Sequence, residues 1–283
     1  MQDSGIQLKK GRPMSDLITV AIENHVADVR LNRPEKYNAL SPDMFAAISE
    51  AGEALMKESN VRAVVLSGNG RGFCAGLDFE SFMGMASGSR QVEDADTLMG
   101  KVVDSPANAP QYVAYVWRQV PVPVIAALHG VAFGGGLQIA LAADIRLAAP
   151  DVRLSVREIN WGLIPDMSGT QTLRDLVRLD VAKELTYTGR EVTGEEARQL
   201  GLVTRVCDDP LGEALTLASE IVNKSPHAIR AAKQLLQETR HGDVAVGLKM
   251  EETLQRGLIG SPNQVEAVTA NFEKRAPDFS DPE

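Results

Sequence analysis

The chain has 283 residues, 44% hydrophobic and 24% charged, which is enough for one large domain with a substantial core. A net charge of −9 and a pI of about 5.1 argue against a long polyanion as partner, so nucleic-acid binding is set aside. Two cysteines, Cys74 and Cys207, form neither a disulfide framework nor a CxxC pattern, and no apolar run is long enough for a bilayer; a reducing cytoplasm, no metal and no membrane are expected.

Residues 1 to about 15 read as a flexible lead-in without the apolar core of a signal peptide. Ile18 to Glu23 and Val26 to Leu31 alternate around Asn24-His25, the pattern of a β-hairpin. Ser41-Pro42 supplies an N-cap and a first-turn proline for a helix through DMFAAISEAGEALMKES. Val61 to Leu66 reads as a buried strand running into the glycine-rich SGNGRGFCAGLD. Residues 79 to 120 are helical in character but broken by Gly84, Gly88, Gly100, Pro106 and Pro110, which predicts a mobile segment. Its Tyr112, Tyr115 and Trp117 are read as core-facing.

Val122 to Leu128 is a second buried strand, followed by HGVAFGGGLQIALAAD, a turn that feeds an apolar helix. Ile145 to Ala148 and Arg153 to Val156 are further short strands. From Ser168 the pattern is almost wholly helical, with a capping box at Thr193-Gly194-Glu195-Glu196. Helices are expected near 211–224, 226–240, 243–257 and 262–274. The shift from mixed to purely helical pattern divides a core of residues 16–207 from a helical region of residues 208–283.

Two glycine-rich turns carry the chemistry. Phe73-Cys74-Ala75-Gly76-Leu77-Asp78 and Gly134-Gly135-Gly136 each follow a strand, and the second opens a helix. Glycine allows close backbone approach, and a helix N-terminus offers unpaired N–H groups. Brought together, two such turns can aim two donors at one oxygen, the arrangement that stabilises a thioester enolate. A lone GGG is also simply a tight turn, and AFGGGLQIA lacks the GxGxxG order of a dinucleotide site.

The segments LNRPEKYNALS (31–41), AVVLSGNGRGFCAGLDF (63–79), PVPVIAALHGVAFGGGLQIALAADIRLAA (121–149), LSVREINWGLIPDMSGTQTLRDL (154–176) and TGREVTGEEARQLGLVTRV (188–206), in this order, resemble the enoyl-CoA hydratase/isomerase (crotonase) superfamily. The resemblance implies an α/β fold, a spiral of ββα turns with C-terminal helices that build trimers or dimers of trimers. It implies an acyl-CoA substrate and no separate cofactor, coenzyme A being part of the substrate. The oxyanion donors fall on the backbone N–H groups of Leu77 and Gly135.

Glu158 matches the family's catalytic glutamate. The position where hydratases carry a second glutamate holds Gln138, which cannot exchange a proton at neutral pH. Asp166 resembles the dienoyl-CoA isomerase branch as a neighbour of the catalytic glutamate; it also precedes a helix, where it would serve as a cap. For substrate contacts the resemblance points to Lys36, Ala39, Ala75, Asp78, Phe79 and Gly136, with Asp78 ordering the loop rather than reacting. His25, His129 and Cys74 are read as structural. The expected activity is double-bond isomerisation by Glu158. The alternatives are hydration with Gln138 positioning water, and non-catalytic acyl-CoA binding.

Overall fold

The computed structural model describes residues 16–86 and 99–282. The lead-in, and residues 87–98 of the interrupted stretch, lie outside the described residues. Strands β1 (Ile18–Glu23) and β2 (Val26–Leu31) form the expected hairpin, with Ile18 opposite Leu31 and Glu23 opposite Val26. Asn24 and His25 between them both take left-handed φ, 48° and 66°, as a two-residue turn matched to strand twist requires.

From β2 onward the large sheet is parallel. It runs β1-β2-β3-β4-β6-β8, with β3 at Ala63–Gly68, β4 at Val124–Leu128, β6 at Ile145–Ala148 and β8 at Arg205–Val206. Parallel neighbours need long crossovers. These are α1 (Pro42–Met56), then α2 (Phe79–Ala86) with α3 (Ala109–Gln119), then α4 (Gly135–Ala142). Helices α5 (Gly169–Leu176), α6 (Leu179–Thr188) and α7 (Gly194–Leu200) precede β8. A separate pair, β5 (Val131–Phe133) and β7 (Arg153–Ser155), runs parallel beside it. Successive turns of chain thus give one strand to the large sheet and, in the middle of the chain, one to the small sheet before each helix. This is the spiral of strand and helix turns expected from the resemblance.

Both faces of the large sheet are covered, which explains why its central strands are almost continuously apolar. Ala27, Val29, Val64, Leu66, Val124 and Ala126 belong to the core with α1, α3 and α4. The alternate residues Ala63, Val65, Ile125, Ala127 and Leu147 face Ala214, Ala218 and Val222 of α8 (Pro210–Val222). Then α9 (Pro226–Glu238), α10 (Val244–Leu258) and α11 (Pro262–Glu273) follow, each started by a capping Ser or Asp. The end of the chain returns to the start of β3, where Arg62, just before that strand, bonds Asp281 at 2.6 Å and the Phe279 carbonyl at 2.8 Å. Among the described residues no helix is long and apolar enough to cross a membrane.

Several boundaries differ from expectation. β4 begins after Pro123, which has no N–H to give the ladder. Pro110 does not break a helix: it sits in the first turn of α3, behind a reciprocal Asn108–Gln111 capping box. Gly84 lies within α2. At α7 only half of the predicted capping box forms, Thr193 accepting from the Glu196 N–H.

Candidate active site

The first glycine loop is stitched to its surroundings by backbone bonds. Cys74 pairs with β5 through its N–H to Val131 (3.0 Å) and its carbonyl to Phe133 (3.0 Å). Leu40 then pairs with the loop, donating to Gly76 O at 2.8 Å and accepting from Asp78 N at 3.1 Å. Gly76 has φ +87°, and a Cβ there would lie 2.6 Å from Phe133 O and 3.7 Å from Gly135 N. A Cβ on Gly136 would lie 2.5 Å from the Cys74 carbonyl oxygen. Only glycine lets the two turns close to this distance. The Leu77 and Gly135 amides then both border one cavity, and neither donates a hydrogen bond among the described residues.

Glu158 opens a short 3-10 turn, Glu158–Trp161, just beyond β7. Its Oε1 accepts from Gln138 Nε2 at 2.6 Å, while its Oε2 is buried and has no hydrogen-bond partner among the described residues. Gln138, on α4, is 2% exposed, and its Oε1 accepts from the N–H groups of Met167 (2.8 Å) and Gly169 (2.9 Å). Those two donors require an oxygen, so the amide NH₂ must face Glu158. Gln138 is therefore a bracket, with one end capping α5 and the other holding the glutamate.

Burial is the largest influence on Glu158 and pushes its carboxyl above the ordinary range. Its own backbone amide and Gln138 oppose the rise, and the charge of Asp166 adds to it. Asp166 is itself exposed at the cavity wall, where the surrounding protein removes enough water to raise its carboxyl as well. The helix-cap reading of Asp166 does not hold: Ser168 stands at the N-cap of α5, and Gln138 satisfies the first amides.

A family model described as enoyl-CoA hydratase/isomerase matches residues 21–282. The chain belongs to this family. It is 32% identical to a peroxisomal Δ(3,5)-Δ(2,4)-dienoyl-CoA isomerase of Arabidopsis thaliana, covering 94% of this chain and 96% of that one. It is 33% identical to a mitochondrial methylglutaconyl-CoA hydratase of Mus musculus, over 88% of this chain and 77% of the other. Among solved structures, an enoyl-CoA hydratase from Bacillus anthracis superposes with a TM-score of 0.84 at 32% identity, covering 93% and 98% of the two chains. The protein is thus an enzyme of the hydratase/isomerase family.

In this family member the cavity measures about 710 Å³. Of the residues singled out from sequence, Ala75, Leu77, Phe79, Gly135, Glu158 and Asp166 line it. Gly136 instead packs against Cys74, and Ala39 is buried outside the lining. Asp78 is turned away to pair with Arg33, accepts from Glu80 N at 3.0 Å, and is held below the ordinary carboxylate range by these partners against the opposing effect of burial. Lys36 is exposed and adds to that stabilisation of Asp78. Tyr112 is buried in the core and also forms part of the cavity wall, which the core-only reading missed. Trp117 is fully buried, and Tyr115 packs against the core. Cys74 is buried, contacts the Asn38 carbonyl at 3.1 Å, and has its thiol pushed up to about 12, so it is no thiolate nucleophile. His25 and His129 bond the carbonyls of Asn60 (2.8 Å) and Gly70 (3.0 Å).

Proposed function

We propose that this enzyme isomerises the double bond of an enoyl-CoA thioester, with Glu158 as the single proton carrier. The observation that carries the reading is the division of labour on one carboxylate: Oε1 is held by a neutral amide, and Oε2 is buried and free beside the cavity. Oε2 removes a proton from the carbon α or γ to the thioester carbonyl. The C–H electron pair moves into an enolate, whose oxygen receives the Leu77 and Gly135 N–H groups. The protonated Glu158 then returns the proton to a different carbon as the enolate collapses. No water is consumed and no electrons are lost. Each such donor contributes about 2.7–4 kcal/mol to enolate stabilisation in comparable sites. A raised carboxyl on Glu158 brings its basicity closer to that needed for a carbon acid.

Hydration with Gln138 positioning water is the competing reading. The contacts of Gln138 count against it, because both ends of its amide are already engaged and its side chain is buried. We also propose a homotrimer or dimer of trimers. The exposed Val244, Val246, Leu248, Val265, Val268 and Phe272 on α10 and α11 support this reading, and sedimentation equilibrium tests it.

The deciding experiment incubates the enzyme with 2-trans-enoyl-, 3-enoyl- and 3,5-dienoyl-CoA in D₂O, beside Glu158→Gln. Isomerisation with deuterium at acyl carbons, lost in the variant, is expected. Unchanged activity in Glu158→Gln would sink the mechanism. Efficient hydration by the wild type would overturn the choice of isomerase.

A further inference from the structure

The wall of the cavity formed by α1 and α3 carries a carboxylate that the proton-transfer scheme does not use. Pro42, Phe45, Ser49 and Glu53 form a stripe of α1 along this wall. The start of α1 abuts the oxyanion loop through the Leu40–Leu77 pairing. Glu53 lies eleven residues beyond Pro42, about 16 Å along the helix axis at its normal rise. Any acyl group following α1 away from the thioester therefore runs toward Glu53.

Glu53 is half-buried, and no Lys, Arg or His pairs with it among the described residues. Tyr112 of α3 faces it from across the wall: burial first, then the charge of Glu53 and its acceptance of the phenol proton, push the Tyr112 hydroxyl upward. Ser49 lies one helical turn earlier on the same face. A carboxylate has about four acceptor sites, and Tyr112 fills at most one. The rest are open to a donor from a ligand. Among the described residues the cavity wall carries one cation, Arg157, which already pairs with Glu191 and stacks 4.0 Å over the Phe133 ring. Beside Glu53 the described wall therefore offers a ligand carboxylate no unpartnered cation.

We infer that Glu53, flanked by Tyr112 and Ser49, is a specificity-determining group that selects acyl chains bearing a hydrogen-bond donor such as a hydroxyl at their far end and rejects chains ending in a carboxylate. The inference rests on the proposed acyl-CoA reading of the cavity, but not on isomerisation. A donor reaching Glu53 gains a charge-assisted hydrogen bond. A terminal carboxylate there meets a like charge in a poorly hydrated pocket.

The test is calorimetric binding of saturated acyl-CoA thioesters, which need no turnover, to the full-length enzyme. Three series of increasing chain length end in methyl, hydroxyl or carboxylate. At the length that reaches Glu53, the hydroxyl series is expected to bind at least about tenfold tighter than the carboxylate series, or about 1.4 kcal/mol. Glu53→Gln is expected to bring the two within about threefold, and Glu53→Leu to make methyl the preferred end. Tyr112→Phe is expected to leave rejection of the carboxylate in place. Equal affinities for all three ends at every length in the wild type overturn the inference, whatever the variants do. An unchanged rank order in folded Glu53→Gln overturns it too. If no thioester binds at all, the acyl-CoA reading falls with it, a pattern distinct from indiscriminate binding.

Discussion

Replacing Gln138 by methionine keeps the length of the side chain and removes both of its polar ends. Two buried backbone N–H groups, those of Met167 and Gly169, then lose their acceptor, and Glu158 Oε1 loses its donor. Leaving a buried donor unsatisfied costs about 1–3 kcal/mol, so the two amides together cost roughly 2–6 kcal/mol of stability. That is a large share of a typical folding free energy of about 5–15 kcal/mol, and urea unfolding reads it as a lowered midpoint with the slope unchanged. The second effect is on the carboxyl. The Gln138 hydrogen bond favours the ionised form of Glu158. Without it the proton is held more tightly, and the acid limb of kcat/KM for isomerisation moves to higher pH. A variant with the wild-type urea midpoint and an unmoved acid limb refutes the bracket role of Gln138.

Asp166→Asn acts in the opposite sense. It removes a negative charge that raises Glu158, so the acid limb moves to lower pH, measured in the same profile. Glu158→Gln is expected to lower kcat by a factor of about 10²–10⁴, the usual worth of a general base, while thioester binding survives. The same variant is expected to melt higher than wild type at neutral pH. The folded-state carboxyl is raised, so the native state binds more protons than the unfolded chain between the ordinary and the raised value, and wild-type stability falls as pH climbs through that window. The advantage of Glu158→Gln therefore disappears below the ordinary carboxylate range, which thermal melts across pH will show. Gly136→Ala drives a methyl into the Cys74 carbonyl, 2.5 Å away, and parts the two glycine turns. Its kcat is expected to drop by at least an order of magnitude, more than KM rises.

Elements whose signals are local were legible in sequence. The hairpin ends and the Ser-Pro and Asp-Pro helix starts are set by neighbouring residues, and the structure has them within a residue or two. The three-residue β5 and two-residue β8 escaped, because such short strands exist only through partners far along the chain. Of the site, the two glycine turns and Glu158 were visible through motif order. The saturation of Gln138 was not, since its partners Met167 and Gly169 lie 29 and 31 residues away. Glu53 was hidden differently: on an amphipathic helix a glutamate facing a cavity and one facing solvent share the same spacing.

The small sheet has a consequence of its own. β5 leads directly to Gly134 and Gly135, β7 leads to Glu158, and the Gly134 N–H reaches back to Ser155 O at 2.9 Å. The gap between the Gly135 amide and Glu158 is thus measured by a three-rung ladder of main-chain pairing. It is not set by the contour of the much larger core. Reaction type can then drift through exchange of the side chains mounted on this caliper while its opening stays fixed. Conversely, a substitution that disturbs the pairing at Val131, Ala132 or Leu154, none of them among the cavity-lining residues, is expected to act on the rate through this spacing.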